Sequence, residues 1–161
     1  MKNKTVKDLM TYPAITVEET TSIQNAIKIM KEKNIGFIPI TKNNIITGVI
    51  TDRDILIRAI GIHDIKNEIS NIMTSDEVHF VSLTTPLIDA VTMMATHKIR
   101  RLVVLNDGKV VGVLTSKDLL NESHLIPFII QTYNKNETLN GYEIYSNSNP
   151  HDSIKTSDYP L

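Results

Sequence analysis

The chain has 161 residues, of which 41% are hydrophobic and 22% are charged, values typical of a globular protein. Cysteine is absent, so disulfides, thiolate metal ligands and cysteine nucleophiles are excluded. The formal net charge of -1 predicts no general attraction to nucleic acid or to an anionic membrane. We expect a cytoplasmic protein, because no apolar run reaches transmembrane length and residues 1–7 lack the apolar stretch of a secretory signal.

The first half of the chain predicts a strand, a helix, two strands and a second helix. A strand at Ala14–Val17 is followed by a helix that starts with a capping box of Thr21 and Gln24. The apolar residues of this helix recur at helical spacing; they are Ile23, Ala26, Ile27 and Met30. The remaining elements are strands at Phe37–Ile40 and Ile46–Thr51 and a helix at Arg53–Ile60.

The second half predicts the same order of elements. Its first helix is capped by Thr85, with Pro86 at the first helical position. The turn Asn106–Gly108 is a strong hairpin signal between two strands. These strands and the closing helix are predicted at Arg101–Leu105, Val110–Leu114 and Lys117 to about Ser123.

The two halves form an internal repeat. Asp8–Thr11 matches Asn71–Thr74 at a spacing of 63 residues, and Gly48–Asp54 matches Gly112–Asp118 at a spacing of 64. One unit is too small to be stable alone, so we expect the two to pack together with a cleft between them. The predicted fold class is α/β (α+β), with two β-α-β-β-α units related by a pseudo-two-fold axis and small sheets packed by helices. The predicted domains are residues 1–62, residues 63–124 and a C-terminal helix and polar tail at 125–161.

The sequence resembles the cystathionine β-synthase (CBS) domain in the form of a tandem pair, also called a Bateman module. The resemblance rests on the repeat, on the Met-Thr at the start of each half, and on the strand-to-helix junctions Gly48–Asp54 and Gly112–Asp118. The segments Ile35–Ile40 and Ile99–Val104 fit the middle strand of the family. The resemblance covers residues Val6–Leu120.

The resemblance implies a regulatory module that binds an adenosine-containing ligand such as AMP, ADP, ATP or S-adenosylmethionine in the cleft between the domains. No cofactor is required, and family members often form dimers. In the family pattern, the aspartate of T-x-x-D hydrogen-bonds the ribose hydroxyls and the threonine contacts the sugar or phosphate. The matching residues are Thr51 and Asp54 in the first half and Thr115 and Asp118 in the second.

A carboxylate is chemically suited to this role, because it can accept hydrogen bonds from both hydroxyls of a vicinal diol. A position in the first turn of a helix holds it beside unpaired backbone N–H groups. The same pattern is also a plain helix start, in which the threonine caps the helix and the aspartate faces the helix dipole. The two interpretations are compatible, and both remain open from the residues alone.

Cationic residues inside the motifs are candidates for phosphate binding. Four of the 17 Lys and Arg residues are arginines, and three of them, Arg53, Arg100 and Arg101, lie in the motif segments. The planar fork of arginine binds phosphate bidentately; the alternative is a surface ion pair or a solvated strand edge. Lys117 completes the predicted ligand-binding cations, whereas a structural role is predicted for Arg58.

The two sites are expected to be unequal. Gly36 and Phe37 occupy the positions that Arg100 and Arg101 hold in the second half, so the site at Asp118 is better suited to a charged nucleotide. Adenine requires an apolar slot. The predicted walls of that slot are Ile15, Ile38 and Pro39 in the first half and Phe80 and Val103 in the second.

Two further features concern partners. The segment Ile55–Ile60 is apolar nearly all round, which predicts a homodimer built on the closing helices, unless a helix at Ile126–Tyr133 covers it. Residues 134–161 are rich in Asn and Ser and predict a polar tail. The tyrosines in this tail suggest that part of it docks on the module or on its dimer mate.

The sequence therefore predicts a stand-alone adenosyl-nucleotide sensor that signals to an unknown protein partner. An enzyme is not expected, because no nucleophile and base pair or metal set can be assembled from the motifs. The five histidines show no metal-binding spacing, and His79 is a candidate for either the cleft or the surface. The alternative is a structural dimerisation module without a ligand. Neither nucleic acid nor a membrane is an expected partner.

Overall fold

The computed structural model describes residues 4–60 and 64–134, with residues 131–134 described by their backbone. Each half contains a three-stranded sheet, in which the first strand runs parallel to the middle strand and the third runs antiparallel to it. This confirms the mixed α/β fold of two similar units. Within the described residues, no helix has both the length and the hydrophobicity needed to cross a membrane.

The first half closes with a helix that changes its winding. Its elements are β1 (Val17–Glu18), α1 (Ile23–Lys33), β2 (Phe37–Lys42), β3 (Ile45–Thr51) and α2 (Asp52–Asp54), with a π-helix at Ile55–Ala59. The predicted helix at Arg53–Ile60 is therefore α-helical only at its start. The backbone N–H of Ile60 donates to the carbonyl of Ile55, five residues back, at 3.4 Å, which is the wider winding of a π-helix.

The start of α1 differs from the predicted capping box. Ser22 is the N-cap, because its hydroxyl accepts from the backbone N–H three residues later at 3.2 Å. The backbones of Thr21 and Gln24 bond to a segment outside this unit. The Thr21 carbonyl accepts from the N–H of Ile69 at 2.7 Å, and the Gln24 N–H donates to the carbonyl of Ile65 at 2.8 Å. The cap prediction was wrong because it considered local bonds only.

The second half repeats this order, again with a shifted cap. Its elements are β4 (Phe80–Ser82), α3 (Leu87–His97), β5 (Arg101–Asn106), β6 (Lys109–Thr115) and α4 (Ile126–Asn134). Pro86 occupies the N-cap position of α3. Thr85 does not cap this helix, and its hydroxyl accepts from the N–H of Ser82 at 3.1 Å.

The predicted helix at Lys117–Ser123 does not form. The N–H groups of Asp118, Leu120 and Glu122 each donate to the carbonyl three residues back, at 3.0–3.2 Å. These bonds make successive tight turns. A short 3-10 helix at Ser123–Leu125 then leads into α4.

Both hairpins turn through left-handed residues. The backbone angle φ is +52° and +66° at Asn43 and Asn44, and +49° and +75° at Asp107 and Gly108. Two consecutive positive φ values match the twist of the flanking strands. The hairpin predicted at Asn106–Gly108 is thus confirmed.

The two halves exchange their leading segments. The first leader, residues 4–15, bonds to the second half, and the second leader, residues 64–78, bonds to the first half. Thr11 pairs with Val113 of β6 through two backbone bonds of 2.9 and 3.1 Å. Thr74 pairs with Val49 of β3 through two bonds of 2.9 Å. Each sheet is therefore extended by a segment that precedes the other unit in the sequence.

The exchange also shifts the first strand of the fold. The strand predicted at Ala14–Val17 lies instead at Val17–Glu18. The N–H of Ala14 donates to the carbonyl of Val111 in β6 at 2.9 Å. Ala14 therefore belongs to the first leader and pairs with the other half.

The two hydrophobic cores depend on the exchanged leaders. Val6 of the first leader is fully buried in the core of the second half, whereas Ile69 and Ile72 of the second leader are buried in the core of the first half. Full burial of one such side chain contributes about 1.5–3 kcal/mol to folding. Neither core is complete without a segment from the neighbouring repeat.

A glycine in each sheet allows the leader to approach. A Cβ at Gly112 would lie 2.6 Å from the sulfur of Met10 and 3.0 Å from the Thr11 carbonyl oxygen. A Cβ at Gly48 would lie 2.7 Å from the sulfur of Met73 and 2.9 Å from the carbonyl oxygen of Thr74. The Met-Thr repeat and the strand glycine are thus the two sides of one contact.

The closing segment of the first half has an exposed apolar face. Ile55 and Ala59 are buried, but Leu56, Ile57 and Ile60 are 56–64% exposed. The alternative predicted from the sequence was that the helix after Ile126 covers this face. That helix, α4, packs instead on α3 of the second half. The predicted role of the tail at 135–161 lies outside the described residues.

His79 lies before β4 and contacts the end of α3. Its imidazole ring is 4.1 Å from that of His97, centroid to centroid. The pKa of His79 is lowered from its ordinary value of 6.5, mainly because the ring is partly buried. The neighbouring charge of His97 lowers this pKa further, whereas the carboxylate of Glu77 raises it. The folded protein therefore prefers neutral His79.

The glycine contact predicts a specific sensitivity to added volume. The substitution Gly112→Ala should destabilise the fold by about 1–3 kcal/mol, because the new methyl group meets a backbone oxygen as well as a side chain. In a domain of this size the melting temperature should fall by about 2–10 °C. Lys109→Ala, an exposed change on the same strand, should leave it unchanged. Equal melting temperatures for the two variants would contradict the contact.

His79 predicts a loss of stability at acid pH. Its folded-state pKa is lowered, so its contribution to stability is complete above pH 6.5 and is lost as pH falls through the lowered pKa. The free energy of unfolding, measured in urea between about pH 7.5 and about pH 5, should decline less in His79→Gln than in the parent. A parallel decline in the His79 variant would refute the assignment.

Candidate functional site

A cleft of about 370 Å³ lies between the two halves. Its walls come from the first leader, the junction of α1 and β2, the start of β5, and the end of β6 with the turn that follows. The lining residues are Thr11, Pro13–Ile15, Asn34–Phe37, Arg100, Arg101, Val113 and Thr115–Lys117. The cleft thus contains residues of both repeats, as the packing of two incomplete units predicts.

Strand alternation decides which side chains reach the cleft. Arg101 pairs with Thr115 across β5 and β6, and successive residues on a strand point to opposite faces. Their neighbours Leu102 and Leu114 are fully buried in the core of the second half. Arg101 and Thr115 therefore lie on the other face, which is the face that lines the cleft.

The charge of the lining is entirely positive. Arg100, Arg101 and Lys117 are the charged residues among the side chains that line the cleft, and none of the others is Asp or Glu. The guanidinium carbon of Arg101 lies 5.8 Å from the centroid of the Phe37 ring, within the range of a cation–π contact. The cleft thus places cations beside an aromatic ring and is electrostatically suited to an anion.

The second T-x-x-D motif stands at the edge of this cleft. Thr115 lines the cleft, whereas Asp118, three residues later, is half-buried and is not a lining residue. Oδ2 of Asp118 accepts hydrogen bonds from the backbone N–H and the hydroxyl of Thr115, both at 2.7 Å. In the described part of the chain, Oδ1 of Asp118 has no hydrogen-bond partner. The cap interpretation therefore holds for one carboxylate oxygen and leaves the other available.

The first motif has the same local bonds but a different neighbour. Oδ2 of Asp54 accepts from the N–H of Thr51 at 2.8 Å and from its hydroxyl at 2.7 Å. Oδ1 of Asp54 is 3.5 Å from the Nη2 atom of Arg58. Nη1 of the same arginine donates to the second leader, at Ile72 and Thr74. These residues do not line the described cleft.

The structure brings together some of the residues predicted from sequence. Five of them line the cleft: Ile15, Arg100, Arg101, Thr115 and Lys117. Ile38 does not, because it is fully buried in the core of the first half. Pro39 and Val103 are also buried, Phe80 is 53% exposed on β4, and none of the three lines the cleft. Arg53 is exposed, and its backbone N–H donates to Asp52.

The apolar wall is made by residues that sequence reasoning missed. Besides Ile15, it contains Pro13, Ile35, Phe37 and Val113. The sequence carried a signal for Pro13 and Val113 alone, the repeated Met-Thr before Tyr12, because that motif lies where the first leader pairs with β6. As regards metals, no three His, Asp or Glu side chains cluster suitably within residues 4–60 and 64–134.

Known proteins share this organisation. The sequence profile of the CBS domain matches residues 6–61 and again residues 69–125. The chain is 36% identical over 115 residues to the CBS domain-containing protein YhcV of Bacillus subtilis, covering 71% of this chain and 81% of that protein.

Two solved structures are similar in fold and carry bound adenosyl compounds. The CBS domain protein PAE2072 from Pyrobaculum aerophilum, complexed with AMP, has a TM-score of 0.69 at 26% identity and covers 79% of this chain and 98% of its own. The CBS domain pair of protein MJ0100, in complex with 5-methylthioadenosine and S-adenosyl-L-methionine, has a TM-score of 0.64 at 30% identity and covers 77% and 96%. The chain therefore belongs to the CBS-domain family and carries that domain twice.

Proposed function

We propose that this CBS pair is a non-catalytic regulatory module that binds an adenosine-containing ligand in the cleft between its halves. The ligand class comprises AMP, ADP, ATP and S-adenosylmethionine. The observation that supports the proposal best is a cationic, partly apolar cleft lined by Thr115, whose motif partner Asp118 keeps one carboxylate oxygen available. Both similar structures described above hold ligands of this class.

Each part of an adenosine nucleotide has a matching surface. The adenine ring would lie against the apolar wall formed by Ile15 and Val113. The ribose hydroxyls would donate to Oδ1 of Asp118, next to Thr115. The phosphate would meet Arg100, Arg101 and Lys117, where the guanidinium forks favour a phosphate.

The position of the ligand gives a route to a signal. The cleft is lined by the first leader and by residues of both halves. A bound ligand would therefore contact both halves at once. A ligand shifts the relative angle of the halves only if it binds one arrangement more tightly than the other. A cytoplasmic protein partner would read that change.

A second candidate function is structural dimerisation. It is favoured by the exposed apolar face of Leu56, Ile57 and Ile60, since such a face implies a covering surface. A homodimer built on this face is compatible with ligand binding. The two functions are therefore separated by ligand binding itself and not by oligomeric state.

Asp118→Asn tests the proposed ribose contact. Titration calorimetry first gives the dissociation constants of AMP, ADP, ATP and S-adenosylmethionine for the parent protein. Each compound is then added at about 100 times its dissociation constant, and a compound that binds should stabilise the folded protein by about 2.7 kcal/mol. For a domain of this size, the melting temperature should rise by about 5–10 °C. The variant should bind at least about tenfold more weakly, because hydrogen bonds to a charged group contribute about 1.5–3 kcal/mol.

Asp107→Asn is the matched control. Asp107 is exposed in the β5–β6 turn with a positive φ that asparagine also adopts, so its affinity should equal that of the parent. Calorimetry well below the melting temperature separates affinity from any change in stability. Failure of all four compounds to bind would contradict the proposed ligand-binding function and would favour structural dimerisation. Equal affinities for the two variants would disprove the ribose assignment.

A further inference from the structure

The two T-x-x-D motifs differ in what faces the second carboxylate oxygen. In both, Oδ2 accepts from the N–H and the hydroxyl of the preceding threonine at 2.7–2.8 Å. Oδ1 of Asp54 faces Arg58 at 3.5 Å. Oδ1 of Asp118 faces no donor in the described residues. The difference arises at one repeat position, because Glu122 stands where the first half has Arg58.

The number of available lone pairs separates the two aspartates. An ionised carboxylate oxygen accepts about two hydrogen bonds, so Oδ2 is fully used in both motifs. A ribose diol needs two acceptor positions. Oδ1 of Asp118 provides both, whereas Oδ1 of Asp54 already faces a cation. Glu122 cannot act similarly on Asp118, because a carboxylate carries no hydrogen-bond donor. It pairs instead with Lys4 of the first leader.

Arg58 is held in this position by several contacts. Its Nη1 atom donates to the carbonyl of Ile72 at 3.2 Å, to that of Met73 at 3.4 Å and to the hydroxyl of Thr74 at 3.2 Å. Movement of the guanidinium away from Asp54 would leave these acceptors of the second leader without this donor. A ligand that approached Asp54 would thus compete with contacts that also support the exchange of leaders.

Charge adds a second difference between the motifs. The repeat places Asp76 and Glu77 at the positions of the cleft residues Pro13 and Ala14, and Asp52 at that of Ser116. Asp52 lies beside the junction of α1 and β2, since a Cβ at Gly36 would be 2.6 Å from its Oδ2 atom. All three carboxylates are on exposed residues. Carboxylates at these repeat positions disfavour an anionic phosphate by the same Coulomb term that favours it beside cations.

From these contacts we infer that the chain binds one adenosine nucleotide, at Asp118, and that Arg58 withdraws Asp54 from sugar binding. Arg58 is therefore a positioning residue that determines stoichiometry. The inference rests on the proposed function, because it divides that function between the two halves. It assigns to Asp54 a structural role in capping α2 and anchoring the second leader through Arg58.

Titration calorimetry of the full chain with AMP and with adenosine tests the inference. The parent should bind one AMP per chain. Asp54→Asn should bind AMP within about twofold of the parent, whereas Asp118→Asn should lose at least about tenfold in affinity. Two AMP molecules per parent chain, or similar losses in both aspartate variants, would overturn the inference and leave the proposed function intact. No binding of either compound to the parent would overturn both.

The variant Arg58→Met tests the cause, with Arg58→Lys as the charge-preserving control. Adenosine is the probe, because it lacks the phosphate that the nearby carboxylates repel. Arg58→Met should gain a second adenosine site per chain, whereas Arg58→Lys should keep one. A single site in a folded Arg58→Met would overturn the role of Arg58. If this variant fails to fold, the comparison of the two aspartate variants still decides the stoichiometry.

Discussion

The contact between the leader of one repeat and a strand glycine of the other is the constraint on which the molecule depends. Met10 fits against Gly112 and Met73 against Gly48, at distances that leave no room for a Cβ. The backbone pairings Thr11–Val113 and Thr74–Val49 follow directly from these contacts. They complete each core with apolar residues from the other leader, and the halves of this CBS pair are consequently interdependent in structure.

The cleft is a consequence of the same exchange. Since the first leader runs along β6 up to Ala14, it carries Pro13–Ile15 to the boundary between the halves. There it meets the cationic ends of β5 and β6. A ligand in this position contacts both repeats at once, and a change in the angle between them can therefore be coupled to binding. Pseudo-symmetry supplies the framework, and single positions depart from it, as Glu122 does where the first half has Arg58.

Much of the fold was predictable from the sequence because its determinants are local. The helical stripe through Ile23 and Met30, the Asn106–Gly108 hairpin and the repeated order of elements all need only neighbouring residues. The leader exchange was not predictable in this way, and it displaced both β1 and the cap at Thr21. The closing segments also differed from the predicted α-helices, since one is a π-helix over Ile55–Ala59 and the other a series of tight turns.

Of the polar residues that sequence placed in the site, Arg100, Arg101, Thr115 and Lys117 line the cleft, whereas the strand face of the apolar residues was not correctly assigned. Ile38 is adjacent to Phe37, and only the parity of β2 determines which of them enters the core. Val103 lies on the same face of β5 as Arg101, yet it is buried. The sequence does not show which part of this face is covered where β3 and β6 of the two halves are in contact. The contacts of Arg58 required coordinates, because its partners Ile72 and Thr74 are distant in sequence.

Hydrogen–deuterium exchange with and without AMP tests the shared-cleft account most directly. The account predicts slower exchange, on addition of AMP, in residues 11–15 of the first leader together with residues 113–118, and unchanged exchange in residues 51–54. Slowing confined to residues 51–54, or restricted to one repeat, would contradict it.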